Sequence, residues 1–401
     1  MLRDRMSRTT VVAAAALSWA LLAGPVHAQT ADDLFDGAVV HGIHVTMHSR
    51  DWDALRANFT SNDFYPADVT WNGLRVRNVG VRSRGLGSRS GIKPGLELDF
   101  AHYSSRGQFL GLRALVLDNL TTDPSMIRER VAFAFMRRLG IPAPREVHAE
   151  LFVNDQSVGL YTVAEPIDPT FVQRTLGNAN GVLFEFHWVL PFYATFPGED
   201  LDGYRPLFES RSPQLLSTFD LYDPIRELFR TINEAPAGQF REAVGARLDF
   251  DSTLRLIAAE AVLAEWDGVL GYAGMNNFYL YRDAASGQSR LFPWDADHSL
   301  FAVTYPLLAG ANENVLMRRA LQDPVLRNLF FTYAADALRA AANDNWLVRE
   351  IAAQSQQVRP AARADALKPY SNGELETALA ELAAFASARP AFVAAQIQQL
   401  R

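Results

Sequence analysis

Two carboxylates, Asp295 and Asp297, end an apolar run two residues apart in segment 291–297. In extended backbone, residues i and i+2 share a face, so both side chains would point the same way. At roughly 6 Å and an effective dielectric of about 20, two such charges would repel each other by about 3 kcal/mol. A bound divalent cation removes that repulsion. The spacing therefore predicts a metal site at these two aspartates.

Further polar side chains lie upstream of this pair. Asp267 follows a long apolar segment and precedes glycines, so we expect it on a turn, where it could accept a proton from a substrate hydroxyl. Asn277 precedes a predicted strand, and its amide oxygen could ligate a hard metal ion. Each residue taken alone could equally serve turn geometry. The order acid, amide and metal-type acid is that of kinase-like phosphotransferases, and it predicts one functional site.

A glycine-rich segment, residues 84–93, carries a possible phosphate site. Gly85 and Gly87 would let backbone N–H groups approach phosphate oxygens, and Arg84 and Lys93 would neutralise negative charge. A surface hairpin rich in Gly, Ser and Arg would have the same composition. This segment alone therefore does not decide between the two interpretations.

A charged pair is predicted between Lys93 and Glu129. In kinase-like folds a strand lysine that binds phosphate pairs with a glutamate on the following helix. Glu129 lies in a helix predicted to open at Asp123-Pro124, so it could be that partner. The alternative is that Glu129 is a solvated charge on the helix surface.

Composition excludes several classes of function. The formal net charge is −7, which argues against general binding to nucleic acid. The chain contains no cysteine, so disulfides, thiolate catalysis and cysteine-ligated metals are excluded.

The N-terminus has the pattern of a secretory signal peptide. A basic start precedes a short apolar run at 11–23, and Val26-His27-Ala28 fits a small-x-small cleavage site. We therefore expect residues 1–28 to be removed and the chain to be exported to the periplasm or outside the cell. No later segment is expected to be long and apolar enough to span a membrane. Export without cysteine fits a bacterial envelope protein.

The mature chain is long for one compact core, which favours two lobes. The first lobe, 29–165, is predicted to be a mostly antiparallel sheet with one main helix, and Asn72-Gly73 marks a hairpin within it. The second lobe, 166–401, is predicted to be mainly helical, with a strong helix at 250–266 capped by Asp251 or Ser252. The fold class is therefore α+β.

These segments resemble the CotH kinase family, the spore-coat-type atypical kinases. The similarity extends over roughly residues 40 to 395 and is clearest in the last two of the matching motifs. The matching segments are 81–85, 96–100, 123–140, 153–154, 159–161, 165–168, 266–268, 277–281 and 293–297.

The resemblance implies a two-lobed kinase-like fold that binds ATP with Mg²⁺ or Mn²⁺ and phosphorylates Ser or Thr of a protein. It implies that Asp267 is the catalytic acid–base residue and that Glu165 lies at the hinge where adenine binds. The residues implied to contact phosphate are Arg84 and Lys93, and those implied to form the metal region are Asn277, Asp295 and Asp297.

The leading hypothesis is therefore an exported, metal-dependent phosphotransferase that acts on a protein of the envelope or outside the cell. Little ATP exists outside the cytoplasm, so a catalytically silent, kinase-shaped scaffold or binding protein is the first alternative. A phosphotransferase that acts on a glycan or a small molecule is the second.

Overall fold

A closed β-barrel, a second sheet and a helical C-terminal region make up this α+β protein. The structure is a computed structural model and describes residues 28–212 and 216–401. The predicted signal peptide lies outside the described residues, apart from its last position, Ala28.

Seven strands form the barrel. They are β1 (His41–Met47), β2 (Tyr65–Trp71), β3 (Leu74–Ser83), β4 (Leu96–Asp99), β5 (Ala114–Asp118), β6 (Glu146–Val153) and β7 (Gln156–Ala164). Neighbours follow the order β1-β2-β3-β4-β5-β7-β6, and the parallel pair β1–β6 closes the ring. Alternate residues of β1 are buried, which places Ile43, Val45 and Met47 in the barrel core.

Two tight turns set the barrel register. Asn72 (φ 49°) and Gly73 (φ 81°) join β2 to β3 in the left-handed conformation that a two-residue hairpin requires. Asn154 (φ 50°) and Asp155 (φ 63°) join β6 to β7 in the same way. The hairpin predicted at Asn72-Gly73 is therefore confirmed.

The second sheet contains four antiparallel strands in the order β11-β10-β8-β9. They are β8 (Val182–Phe186), β9 (Phe208–Ser210), β10 (Phe278–Arg282) and β11 (Ser289–Pro293). Phe278 pairs with Pro293, so the residues just outside this pair, Asn277 and Trp294, face each other at one end of the sheet. The Trp294 N–H donates to the Asn277 carbonyl at 3.0 Å.

Eleven α-helices lie within the described residues. They are α1 (Ala31–Leu34), α2 (Ser49–Ala57), α3 (Arg128–Arg138), α4 (Pro169–Leu176), α5 (Thr218–Glu234), α6 (Phe240–Gly245), α7 (Phe250–Leu263), α8 (Val315–Gln322), α9 (Pro324–Ala342), α10 (Trp346–Ala364) and α11 (Asn372–Leu400). The predicted cap of α7 is wrong, because Asp249 accepts the Ser252 N–H at 3.1 Å and begins the helix. A left-handed Ala264 (φ 56°) ends it.

The larger hydrophobic core crosses the predicted lobe boundary. Val131, Phe133 and Phe135 of α3 precede residue 165, yet they belong to the same core as the C-terminal helices. Helix α3 contacts α7, α9 and α10. The division into 29–165 and 166–401 stays a prediction, and the packing of α3 joins the two parts.

Helix α11 corrects the expectation about membrane spans. It is long and apolar enough, by length and composition, to cross a membrane. Leu375, Leu379 and Leu382 on one side of the helix are buried in the larger core. Arg389 on the same helix is also buried, and its guanidinium donates to four backbone carbonyls, those of Ala261, Val262, Val303 and Tyr305, at 2.6–3.0 Å.

We expect Arg389→Leu to lower the free energy of unfolding by roughly 2–4 kcal/mol, because four buried carbonyls would lose their donor. Thermal unfolding followed by circular dichroism measures the loss. Arg389→Lys keeps an ammonium donor and should lose less stability than the leucine variant. A melting temperature equal to that of the wild type in Arg389→Leu would contradict this account of α11.

Candidate active site

Asp267 lies on a turn that we call the catalytic turn, residues 264–277. Its carboxylate accepts hydrogen bonds from the side-chain amides of Asn276 at 3.0 Å and Asn277 at 3.2 Å. Burial raises the pKa of Asp267, whereas the Asn276 amide and the charge of His298 oppose that rise. The turn therefore holds a carboxylate in a fixed direction while leaving it partly exposed.

Asp295 and Asp297 lie on the segment after β11, which we call the acidic loop, residues 294–300. Asp295 adopts a left-handed conformation (φ 49°), so the extended backbone expected there is wrong. The two carboxyl groups nevertheless interact with each other, because the strand ends at Pro293 and a turn brings the side chains together. Asn277 is also left-handed (φ 56°), a conformation that asparagine adopts readily in turns.

The two aspartates hold protons unusually strongly. Asp297 lines a small cavity, which we call the crevice, together with Asp118, Thr122 and Glu129. Asp295 on the same loop is exposed, but the protein around it displaces part of its water and, with repulsion from Asp118, raises the pKa of Asp295 to about 6. Burial and the charge of Asp295 raise the pKa of Asp297 well above its ordinary value. The Thr122 hydroxyl donates to the Asp297 carboxylate. A divalent cation would relieve this repulsion.

The donor set suits a hard metal ion that keeps part of its water shell. Within residues 28–212 and 216–401, no three His, Asp or Glu side chains form a metal cage by themselves. Mg²⁺ is commonly bound through one or two carboxylates together with substrate phosphates. Asp295, Asp297 and the amide oxygen of Asn277 fit that mode, with Asp267 close enough for its charge to act on Asp295.

The glycine-rich segment lies near the acidic loop, because Arg84 at its start contacts Trp294. Gly85 needs to be glycine, because its φ is +115° and a Cβ would lie 2.6 Å from Ser88 Oγ. Arg89 donates to the Gly85 carbonyl at 2.7 Å and to the Ser61 carbonyl at 2.9 Å, which holds the loop in place. At Gly87 an added Cβ would meet no atom within 4 Å, so the loop is open there.

Arg84 reaches from this segment towards the acidic loop. Its guanidinium carbon lies 5.0 Å from the centroid of the Trp294 ring. Burial disfavours the charged form, but interactions with Tyr279 and with the carboxyl groups of Glu185 and Asp295 outweigh burial and raise the pKa of Arg84. The structure thus brings a permanent cation close to the aspartate pair.

The predicted pair between Lys93 and Glu129 is wrong. The Lys93 ammonium is buried and donates at 2.7 Å both to the Asp365 carboxylate and to the Leu160 carbonyl. Gly159 permits this contact, because its φ is +110° and a Cβ would lie 2.4 Å from Asp365 Oδ1. Asp365 follows α10, 272 residues beyond Lys93, so the sequence contains no local signal for the pair.

Glu129 faces a different partner. It interacts with Glu146 on β6, and burial together with that repulsion raises the pKa of Glu129 well above its ordinary value. Glu129 lines a small cavity together with Asp118, Thr162 and Asp297. It therefore lies at the acidic end of the crevice and not beside the lysine.

Glu165 forms ion pairs with two arginines and none with the residues of the acidic loop. Its buried carboxylate accepts from Arg145 at 2.9 Å and from Arg174 at 2.5 and 2.8 Å. The side chain is therefore occupied, and any adenine contact at the hinge would fall to the backbone. The hinge role of Glu165 stays a prediction.

Several residues at the site escaped sequence reasoning. Asp118 ends β5 and contributes negative charge at Asp295, Asp297 and Glu129. His298 packs against Trp266 with a ring-centroid distance of 4.4 Å, and its protonated form would lower the pKa of Asp267. An acid at the end of a strand is a signal that could have identified Asp118, whereas the position of His298 depends on the fold of the acidic loop.

Two buried glutamates support the catalytic turn: Glu265 lies within it and Glu260 lies near the end of α7. Glu265 accepts the Asp267 N–H at 2.7 Å and the Ser299 hydroxyl at 2.7 Å. Glu260 accepts the Val269 N–H at 3.0 Å. Burial raises the pKa of Glu265 to about 7 and that of Glu260 to about 8, and the repulsion between them adds to the shift of Glu260.

The ion pair of Lys93 generates a stability prediction. Asp365→Asn should lower the free energy of unfolding by about 3–5 kcal/mol, because the buried ammonium would lose its counter-charge. Lys93→Met combined with Asp365→Asn should recover much of that loss, since no buried charge then remains. Denaturant unfolding of the single and double variants measures the coupling. Additive losses in the double variant would rule out a buried ion pair.

Glu260 generates a pH prediction. Its folded-state pKa of about 8 exceeds the ordinary value of 4.5, so ionisation costs the folded chain stability as pH rises between these values. Glu260→Gln removes this cost, and its stability relative to wild type should increase from pH 4.5 towards pH 8. Melting temperatures of both proteins across this range provide the check. A difference that does not change with pH would contradict the shifted pKa.

Comparison with known proteins identifies the family. The model of the CotH kinase protein family matches residues 81–393. The chain is 24% identical over 342 residues to Inner spore coat protein H of Bacillus subtilis, which covers 82% of this chain and 89% of that protein. It is 24% identical over 376 residues to Spore coat protein homolog 1 of Rhizopus delemar, which covers 86% of this chain but 58% of that protein.

Among solved structures, the Helicobacter pylori proinflammatory kinase CtkA is similar over 76% of this chain and 94% of its own chain. The identity is 12% and the TM-score 0.33, which is too low to support an argument about fold or activity. The family match, by contrast, covers well over half of the sequence and includes the catalytic turn and the acidic loop. The chain belongs to the CotH kinase protein family.

Proposed function

We propose that the chain is an exported, metal-dependent kinase that transfers the γ-phosphate of ATP to a Ser or Thr hydroxyl of a protein in the cell envelope or outside the cell. The observation that carries the proposal is the meeting of Asp267, Asn277 and the Asp295–Asp297 pair at one crevice. Membership of the CotH kinase protein family supports kinase chemistry in general.

Asp267 would act as the general base. The acceptor hydroxyl oxygen bonds to the γ-phosphorus, the bond from that phosphorus to the β–γ bridging oxygen breaks, and Asp267 takes the hydroxyl proton. The amides of Asn276 and Asn277 hold one oxygen of its carboxylate, so the other oxygen can face the acceptor. The raised pKa of Asp267 favours its role as a proton acceptor.

The phosphates would lie between the glycine-rich segment and the acidic loop. Arg84 supplies a permanent positive charge there, and the open space at Gly87 would let phosphate oxygens approach the backbone of the segment. Asp295, Asp297 and Asn277 would hold Mg²⁺ or Mn²⁺, which when bound supplies the charge that neutralises the phosphates. Lys93 is buried against Asp365, so we assign phosphate contact to Arg84 first.

Two observations support export of the chain and an acceptor outside the cytoplasm. The leader pattern at residues 1–28 is typical of a secreted chain. Two similar proteins are described as spore coat proteins, which are surface structures. Both observations favour an acceptor in the envelope or outside the cell.

A catalytically silent scaffold is the second candidate, and the burial of Lys93 favours it. A kinase that lost its phosphate lysine to a structural ion pair could keep its fold without using ATP. Nucleotide binding separates the two candidates, because a ligand at 100 times its Kd stabilises the folded state by about 2.7 kcal/mol.

We expect Asp267→Ala to lower kcat by roughly 10²- to 10⁴-fold, because it removes the general base, while stabilisation by ATP with Mg²⁺ or Mn²⁺ persists. Asp295→Ala should abolish both transfer and stabilisation. Transfer from labelled ATP to an envelope extract, together with thermal shift, measures both effects.

Asp202→Ala changes an exposed aspartate and provides the matched control, with transfer expected at the wild-type level. Product analysis by mass spectrometry distinguishes protein from glycan acceptors. If ATP with Mg²⁺ or Mn²⁺ does not change the melting temperature of the wild type, the scaffold is favoured. If phosphate transfer persists in both Asp267→Ala and Asp295→Ala, the proposed mechanism is wrong.

A further inference from the structure

We infer that Glu265 is a positioning residue that joins the catalytic turn to the acidic loop and thereby sets the rate of the proposed transfer. The inference deepens the proposed function and rests on it. Glu265 touches neither substrate nor cofactor in this account, and it acts through its bonds to Asp267 and Ser299.

The two carboxylate oxygens of Glu265 serve different segments. Oε1 accepts the backbone N–H of Asp267 at 2.7 Å, and Oε2 accepts the hydroxyl of Ser299 at 2.7 Å. The residue is 6% exposed, so water does not compete strongly for either bond. One buried side chain thus connects the proposed base to the loop that carries the proposed metal ligands.

Further contacts hold the C-terminal end of the acidic loop. Arg128 on α3 donates at 2.8 Å to the carbonyls of both Ser299 and Leu300. The Leu300 N–H donates to the Leu263 carbonyl, at the end of α7, at 2.7 Å. Three partners therefore anchor the end of the loop at Ser299 and Leu300, and Glu265 is the partner that also bonds Asp267.

The connection requires a residue without a side chain at position 268. A Cβ at Gly268 would lie 2.8 Å from the Glu260 carboxyl carbon and 2.9 Å from Glu265 Cγ. Glycine at 268 therefore lets the turn pack directly on both glutamates. The close approach keeps the Asp267 N–H within hydrogen-bonding distance of Glu265.

The geometry predicts a graded series of variants. Glu265→Ala removes both bonds and should lower kcat by about 100-fold, the scale expected when a reacting group is misplaced by about 1 Å. Ser299→Ala removes one bond and should lower kcat by less. Glu265→Gln keeps an acceptor for the Asp267 N–H and should retain more activity than the alanine variant. The KM for ATP should change little in all three.

Hydrogen exchange followed by mass spectrometry gives a readout that does not need activity. In Glu265→Ala, peptides that cover the catalytic turn and those that cover the acidic loop should both exchange faster than in the wild type. In Ser299→Ala, the acidic loop should respond more than the turn. Leu379→Ala in the buried face of α11 is the control: it should lower the melting temperature while kcat and exchange in both segments stay unchanged.

The outcomes separate the two proposals. A wild-type protein that transfers no phosphate contradicts the proposed kinase, and exchange still decides whether Glu265 joins the two segments. If the wild type is active and Glu265→Ala keeps its kcat, or if exchange rises in only one segment, Glu265 is not the positioning residue. A fall in kcat that Leu379→Ala reproduces would assign Glu265 to stability alone.

Discussion

Repulsion among carboxylates is the constraint on which the organisation of the crevice depends. Asp118, Asp295 and Asp297 lie close enough for each to disfavour the ionised form of another. Arg84 balances part of this charge from the glycine-rich segment, and a bound cation would balance more. A group of acids that is costly without a ligand is well suited to bind one, because binding relieves the repulsion.

Contacts between residues far apart in sequence hold this costly arrangement together. Arg389 on α11 donates to carbonyls at the end of α7 and after the acidic loop, and so fixes the start of the catalytic turn. Asp365 after α10 holds Lys93 next to the barrel. The C-terminal helices therefore stabilise both sides of the crevice, and they share the larger core with α3.

Local sequence patterns predicted turns and strands better than they predicted the long-range partners of charged side chains. Asn72-Gly73 specified a hairpin because the backbone conformation of a two-residue turn is local. Lys93 was assigned the wrong partner, because sequence offers no way to choose between Glu129 and Asp365 as the nearer acid. The left-handed Asp295 likewise follows from the turn after β11 and not from the residue type.

By itself, the sequence determined which residue types were available: an acid after a long helix, an amide before a strand and two acids after the next strand. These follow from short-range pattern, because helix and strand periodicity are properties of neighbouring residues. Only the tertiary structure decided that Glu265 bonds both the turn and the loop, that Arg84 faces the acids and that Lys93 is buried. Those outcomes depend on long-range packing, in which burial and distance, not spacing along the chain, set which charges meet.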